Sequence, residues 1–442
     1  MNQEKNQNVN VRAAAYNELL RFEQSDTFIN IAVDTAIRRH GLSGHDRDFF
    51  TALVYGVTER QITLDYYISK LSSKPVRKLD PSVAVALRMG LYQIIYMDKI
   101  PDSAACNESV KLVKKRAASA APFVNAILRA FLRKREELSL PSAEREPVKY
   151  LSVRYSVSEN LCGLWCEMYG YAQTERILRG MDEPPTVTLR VNTLKTDRET
   201  LLCKLAVDGI EAVPSPEAKF GIRICCPVPV GSLDVLADGL CTVQDDASSL
   251  SVEALDPRPG DTVIDMCSAP GGKSMSAAML MGGEGKIRSF DIYENKLELI
   301  RGSAERLGIG IIETECSDGA VFREDLAQTA DRVICDVPCS GYGVLAKKPD
   351  LRSRAAIRAS EAELPQLQYK ILCNAAAYLK KGGRLVYSTC TLCRTENEDN
   401  VARFLSEHDG YTLETERTFF PDPELPAYLR TDGFYFAVIE KH

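Results

Sequence analysis

The first third of the chain carries apolar side chains at three- and four-residue spacing. VRAAAYNELLRFE, NIAVDTAIRRH, DRDFFTALVYGVTERQITLDYYISKL, VAVALRMGLYQIIYM and APFVNAILRAFLRKR each gather them on one helical face, and GLSGHD, LDPS and KIPDS interrupt the runs. The pattern predicts an all-helical domain. Residues 138–150 lose the periodicity, contain two prolines and read as a linker. YLSVRYSVSENLCGLWCEMYG and ERILRGM then predict helices, and PPTVTLRVNTL switches to a strand pattern. From about residue 240 short β-rich runs alternate with helical ones. DTVIDMC, KIRSFDI, GIIETEC, DRVICDV and GGRLVYS are separated by SMSAAMLM, NKLELIRGSAERL and LPQLQYKILCNAAAYLKK. Such alternation predicts a doubly wound α/β fold, a mostly parallel sheet with helices on both faces. FYFAVIEK reads as an extra strand at the end of that sheet. The expected spans are therefore an all-helical domain over 1–138, a linker and small α+β subdomain over 139–235, and the α/β domain over 236–442.

Open α/β sheets bind ligands beyond the carboxyl ends of their strands. The chemistry is therefore expected in the residues that follow each run: CSAPGGK, DIYEN, SDGA, DVPCSG and STCTLC.

Charge adds a second asymmetry. Residues 1–137 hold 21 Lys+Arg against 15 Asp+Glu, whereas the remainder holds 34 against 46, so a net charge of −6 conceals a basic front on an acidic body. That distribution suits a polyanionic partner, although solvated surface charge explains it as well. The polar start, MNQEKNQNVN, is no secretion signal, and no run is apolar enough to span a membrane. A cytoplasmic chain is expected. Its fourteen cysteines are then reduced thiols rather than disulfides. Cys390 and Cys393 form a CxxC, and Cys162 and Cys166 a CxxxC, but none of the four histidines lies near either pair. A structural zinc site needs four matched ligands, so no metal is expected.

DMCSAPGGKS, residues 265–274, runs from a strand through a Gly-Gly turn into a helix. The P-loop pattern fails because Cys267 stands where its leading glycine belongs, and the GxGxxG pattern fails too. What remains is a nucleotide-type turn in which Gly271 and Gly272 let a ligand approach the backbone. Asp291 ends the second strand run, where an acid accepts from ribose hydroxyls, and Asp318 ends the third. A solvated loop acid is the plainer alternative for each. Cys339 follows the fourth run and Cys390 the fifth. Neighbouring strands lie about 5 Å apart, so the two loops can share one pocket. Two thiols beside Asp336 point to covalent catalysis through cysteine. The plainer alternative is a pair of buried thiols.

DMCSAPGGKS, DVPCSGYGVLAKKPD and STCTLCRTENEDNV resemble the signature motifs of RNA cytosine-C5 methyltransferases. FFTALVYGVTER, KLDPSVAVALRMGLYQIIYMDKIP and FVNAILRAFLRK resemble the RNA-binding fold of the antitermination factor NusB. The combination is similar to the bacterial 16S rRNA cytosine-C5 methyltransferase B family, across nearly the whole chain. The sequence departs from the family's usual pattern at Tyr342 and Ala346, where threonine and arginine are common. The resemblance implies a Rossmann-like methyltransferase domain behind a NusB-like domain. It also implies S-adenosyl-L-methionine as methyl donor, small-subunit rRNA as partner, no membrane, and a monomer. It implies that Cys390 attacks C6 of cytosine, Cys339 assists release of the product and Asp336 holds the base. The donor would lie along Cys267, Ser268, Ala269, Pro270, Gly271, Gly272 and Lys273, bounded by Asp291, Asp318 and Asp336. A DNA-type enzyme, with Cys339 as the attacker, and an RNA-binding factor with a decayed enzyme domain are the rival readings.

Overall fold

The structure, a computed structural model, describes residues 10–24, 29–183, 185–226, 228–354 and 359–442. The polar start of the chain, read above as no secretion signal, lies outside them. Among these residues no helix is long and apolar enough to cross a membrane. They form two units: residues 10–178 with 347–354, and residues 179–346 with 359–442.

The first unit is helical, as expected. Its helices are Val11–Phe22, Ile29–His40, Gly44–Glu59, Gln61–Leu71, Pro81–Tyr96, Asp102–Lys114, Ala121–Lys134 and Pro147–Tyr155. Pro81–Tyr96 buries Val83, Val85, Leu87, Met89 and Leu91, so apolar groups project around its whole circumference. Only enclosure by other helices satisfies such a segment. Asp80 caps it by accepting from the Ser82 amide at 2.8 Å. Arg88 is buried on this helix. Its guanidinium donates to both oxygens of Asp65, at 2.6 and 2.7 Å, and to Glu23 at 2.5 Å.

Two local readings change. Helix Asp102–Lys114 begins inside KIPDS, which reads as loop; its first two turns bury only the small Ala105, Cys106 and Ser109, and Leu112 and Val113 follow near its end. The second proline of the expected linker, Pro147, opens a helix instead, where its missing N–H costs nothing. Late in the chain, helix Asp350–Arg354 returns to this unit and packs on Gly44–Glu59. Arg352 is 1% exposed there. It donates to the Tyr155 carbonyl at 2.8 Å, and its own carbonyl accepts from the Ser158 amide at 2.9 Å.

The second unit holds two sheets. The strands are β1 (Thr188–Val191), β2 (Ala212–Pro214), β3 (Gly221–Ile224), β4 (Cys241–Val243), β5 (Thr262–Asp265), β6 (Lys286–Asp291), β7 (Ile312–Cys316), β8 (Ala330–Asp336), β9 (Leu379–Thr389), β10 (Tyr411–Phe419) and β11 (Phe434–Lys441). The first four form an antiparallel sheet in the order β2-β3-β1-β4. The other seven run β10-β11-β9-β8-β5-β6-β7, and from β9 to β7 all pairs are parallel. This is the mostly parallel, doubly wound sheet expected. FYFAVIEK, however, is not its terminal strand. As β11 it runs antiparallel between β9 and β10. The edge strand β10, YTLETERTF, exposes six successive residues, so its alternation carries no apolar face for a sequence pattern to reveal.

Candidate functional site

Chain order and strand order part company at β5, which lies between β6 and β8. Loops leaving β5 and β8 at their carboxyl ends therefore diverge and leave a crevice. The expected site residues end or follow five parallel strands of this sheet: Cys267–Lys273 after β5, Asp291 at the end of β6, Asp318 after β7, Asp336 at the end of β8 with Cys339 after it, and Cys390 after β9.

After β5, the chain turns through Cys267–Gly271 into helix Gly272–Leu280. The Ser268 amide and hydroxyl both donate to the Phe290 carbonyl, at 2.8 and 2.9 Å, which ties the turn to β6. Gly271 takes φ +103°, a conformation that side chains rarely allow. Asp265, the last residue of β5, is buried. One oxygen accepts from Ser274 at 2.6 Å, and the other has no hydrogen-bond partner. Burial pushes its carboxyl up to about 7.

Acids surround the turn. Asp291 at the end of β6 is 8% exposed, and one of its oxygens accepts from the Tyr293 amide at 3.1 Å. Asp318 is exposed and accepts from the Ala320 amide at 2.9 Å. Burial first, and then the charges of Asp265, Asp336, Asp291 and Asp318, push the Cys267 thiol well above its ordinary value. The crevice is thus lined by four acidic side chains, of which Asp265 holds its proton up to about 7. Such a crevice fits a ligand that brings a cationic centre and sugar hydroxyls.

Asp336 ends β8. Lys273 reaches one of its oxygens at 2.7 Å, and the Ser388 hydroxyl of β9 donates to the other at 2.7 Å. The Lys273 ammonium also lies 5.1 Å from the Phe434 ring centre. Lys273 thus pairs with Asp336.

The two strand-end loops meet. Cys339 Sγ and Cys390 Sγ are 3.3 Å apart, neither is in a disulfide, and both residues are partly exposed. The hydrogen bond with Cys390, burial and the Glu396 charge together hold the Cys339 thiol well above its ordinary value. Glycine makes this approach possible. The Gly343 amide donates to the Cys390 carbonyl at 2.9 Å, and a Cβ at position 343 would lie 1.8 Å from the Gly433 carbonyl oxygen.

Beneath the thiols lies a polar layer that the motifs alone do not announce. Glu396 is buried and accepts from the Ser340 amide at 3.0 Å, the Ser340 hydroxyl at 2.6 Å and the Gln368 amide group at 2.8 Å. Ser340 also hydrogen-bonds Thr391 at 2.7 Å, and Gln368 donates to the Pro338 carbonyl at 2.9 Å. Glu396 lies six residues after Cys390 in the polar stretch RTENED, which in the sequence alone reads as solvated surface. No group of three or more His, Cys, Asp or Glu side chains suited to a metal occurs among the described residues.

Comparison with known proteins follows this geometry. Residues 252–439 match the model of 16S rRNA methyltransferase RsmB/F, residues 9–133 that of the NusB family, and residues 159–231 that of the RsmF/B-like ferredoxin-like domain. The "Probable ribosomal RNA small subunit methyltransferase B" of Bacillus subtilis (strain 168) is 38% identical over 445 residues, 98% of each chain. The crystal structure of PH0851 is 27% identical and covers 98% of this chain and 99% of that one, with a TM-score of 0.80. A methyltransferase homolog protein from Pyrococcus horikoshii is 28% identical and covers 66% of this chain and 98% of that one, with a TM-score of 0.57.

Proposed function

Because the chain belongs to the 16S rRNA methyltransferase RsmB/F family, we propose that it methylates C5 of a cytosine in small-subunit rRNA through a covalent cysteine adduct. The observation that carries this reading is the 3.3 Å approach of Cys339 and Cys390 beside Asp336. S-adenosyl-L-methionine, held along Cys267–Lys273 and by Asp291 and Asp318, supplies an electrophilic methyl group when bound. The acid-lined crevice suits its sulfonium and ribose.

Cytosine C5 is a weak nucleophile until C6 is saturated. Cys390, as thiolate, adds to C6; the C5–C6 double bond opens and its electrons become available at C5. Asp336 accepts from the cytosine N4 amino group, and Lys273 offsets the negative charge that the ring acquires. The base must first leave any stack, at a cost of a few kcal/mol, which a structured RNA loop lowers.

The thiol pair then changes roles. While Cys390 is a thiolate, the S–H of Cys339 donates to it and its proton is held. Once Cys390 is a thioether that acceptor is gone, and Cys339 can release its proton to water. After methylation the Cys339 thiolate takes the C5 proton. The electrons of that C–H bond re-form the C5–C6 double bond, and those of the C6–S bond return to Cys390. The net result is methylcytosine, the donor left as a neutral thioether, and one proton.

Cys390→Ala should abolish methyl transfer. Cys339→Ala should leave a protein–RNA adduct that survives a denaturing gel. An adduct trapped by Cys390→Ala instead would reverse the two roles, as the DNA-type assignment requires. Phosphate contacts from the basic helical unit should make RNA binding fall as salt rises.

A further inference from the structure

The proposed chemistry uses two thiols but does not explain what makes them unequal. Their sulfurs share one contact, so the pair titrates as a unit, and its first ionisation leaves one proton between two sulfurs. What surrounds each sulfur decides which keeps it.

Charge and hydrogen bonding are not evenly distributed around them. Glu396 sits under the Cys339 loop: its carboxylate takes the amide and hydroxyl of Ser340, the residue that follows Cys339. Gln368 binds the same carboxylate and the carbonyl of Pro338, the residue that precedes Cys339. Cys339 is thus bracketed on both sides by groups anchored to one buried acid. The Cys390 loop joins through the Ser340–Thr391 contact and the Asn397 side chain, which donates to the Thr391 carbonyl at 3.0 Å. The other ionisable groups in this layer are Tyr387, whose hydroxyl donates to the Glu396 carbonyl at 2.5 Å, and Cys393. Burial holds both of them protonated.

We propose that Glu396 is a positioning residue that locks the 338–340 segment against the 389–391 segment and, as the fixed negative charge on the Cys339 side, makes Cys339 the proton carrier and Cys390 the thiolate. Glu396 acts through Ser340 and Gln368 and need not meet the substrate. The proposal rests on the two-thiol reading above but is testable without RNA or methyl donor. A nearby carboxylate disfavours a second negative charge, so removing its charge should let Cys339 ionise more readily and erase the bias.

The test is competitive alkylation of the full chain by iodoacetamide, with the modified cysteines resolved by peptide mass spectrometry across a pH series. In the unaltered protein Cys390 should react ahead of Cys339. In Glu396→Gln the ratio of the two initial rates should fall roughly tenfold, and the pH at which Cys339 begins to react should move down. A merely structural role would slow or speed both thiols together. Ser340→Ala keeps the charge but removes the hydroxyl that ties the 338–340 segment to Glu396 and Thr391; Cys339 is then held less firmly against that charge, and the ratio should fall by less than in Glu396→Gln. It also carries the test should Glu396→Gln fail to fold. An unchanged ratio in whichever variant melts cooperatively overturns the proposal, as does Cys339 reacting first in the unaltered protein. If the unaltered protein shows the bias yet never methylates rRNA, the functional reading fails while the role of Glu396 stands.

Discussion

Asp265 shows what a single residue can contribute against stability. Its carboxyl holds its proton up to about 7 in the folded chain because burial disfavours the anion. Unfolded, it ionises near 3.9. Between those values the folded form binds more protons than the unfolded one, so stability falls as pH rises from about 4 to about 7. Asp265→Asn removes that term. Its melting temperature should exceed that of the unaltered protein near pH 8, by roughly 2–4 °C for each kcal/mol relieved, and match it near pH 4. Differential scanning fluorimetry at both pH values decides it, and a gain at pH 4 alone would contradict the argument. At this scale the sequence discloses positions more readily than partners. Cys339, Cys390, Asp336, Asp291 and the Gly-Gly turn follow from their place after strand runs. That Lys273 faces Asp336, that Asp265 lacks a second partner, and that Glu396 gathers three donors depends on distances across strands, which no spacing along the chain encodes.

Elements owe their positions here to a few residues of the right size or charge. The turn Tyr342–Val344 lies against the β9 terminus because Gly343 is bare, with its carbonyl accepting from the Gly433 amide at 2.9 Å. Gly343→Ala puts a methyl group into two backbone carbonyls and should cost about 1–3 kcal/mol. Methyl transfer should fall further than stability does, because the displaced carbonyl belongs to Cys390. Urea melts and methyl-transfer rates on one preparation separate the two effects. In the helical unit, Arg88→Met leaves the half-buried Asp65 without its cation and should cost about 1–3 kcal/mol, seen as an early melt of that unit. Most helices and parallel strands are visible as periodicity. The exceptions are elements with little apolar surface to display where they begin or throughout: helix Asp102–Lys114, whose first two turns bury only small residues, and β10 with its exposed Thr and Glu. β11 was visible as a strand, but its place inside the sheet depends on pairing that periodicity does not specify.

At the scale of the molecule, the first unit is discontinuous in sequence. Residues 347–354 leave the Cys339-bearing segment and bury Arg352 among helices made from the first 178 residues. Removing residues 1–137 would take away helix Gly44–Glu59 and expose this segment. Trypsin should then cut after Lys347 and Arg352 faster than in the full chain; equal rates would show that the segment holds its fold without those helices. The same discontinuity has a consequence for biogenesis. During translation the helices that seat Arg352 have emerged by residue 178, but Arg352 and the rest of its helix emerge only by residue 354, a delay of roughly 9–35 s at about 5–20 residues per second. Throughout that interval the nascent chain presents an unfilled seat for Arg352, a natural place for a chaperone to act.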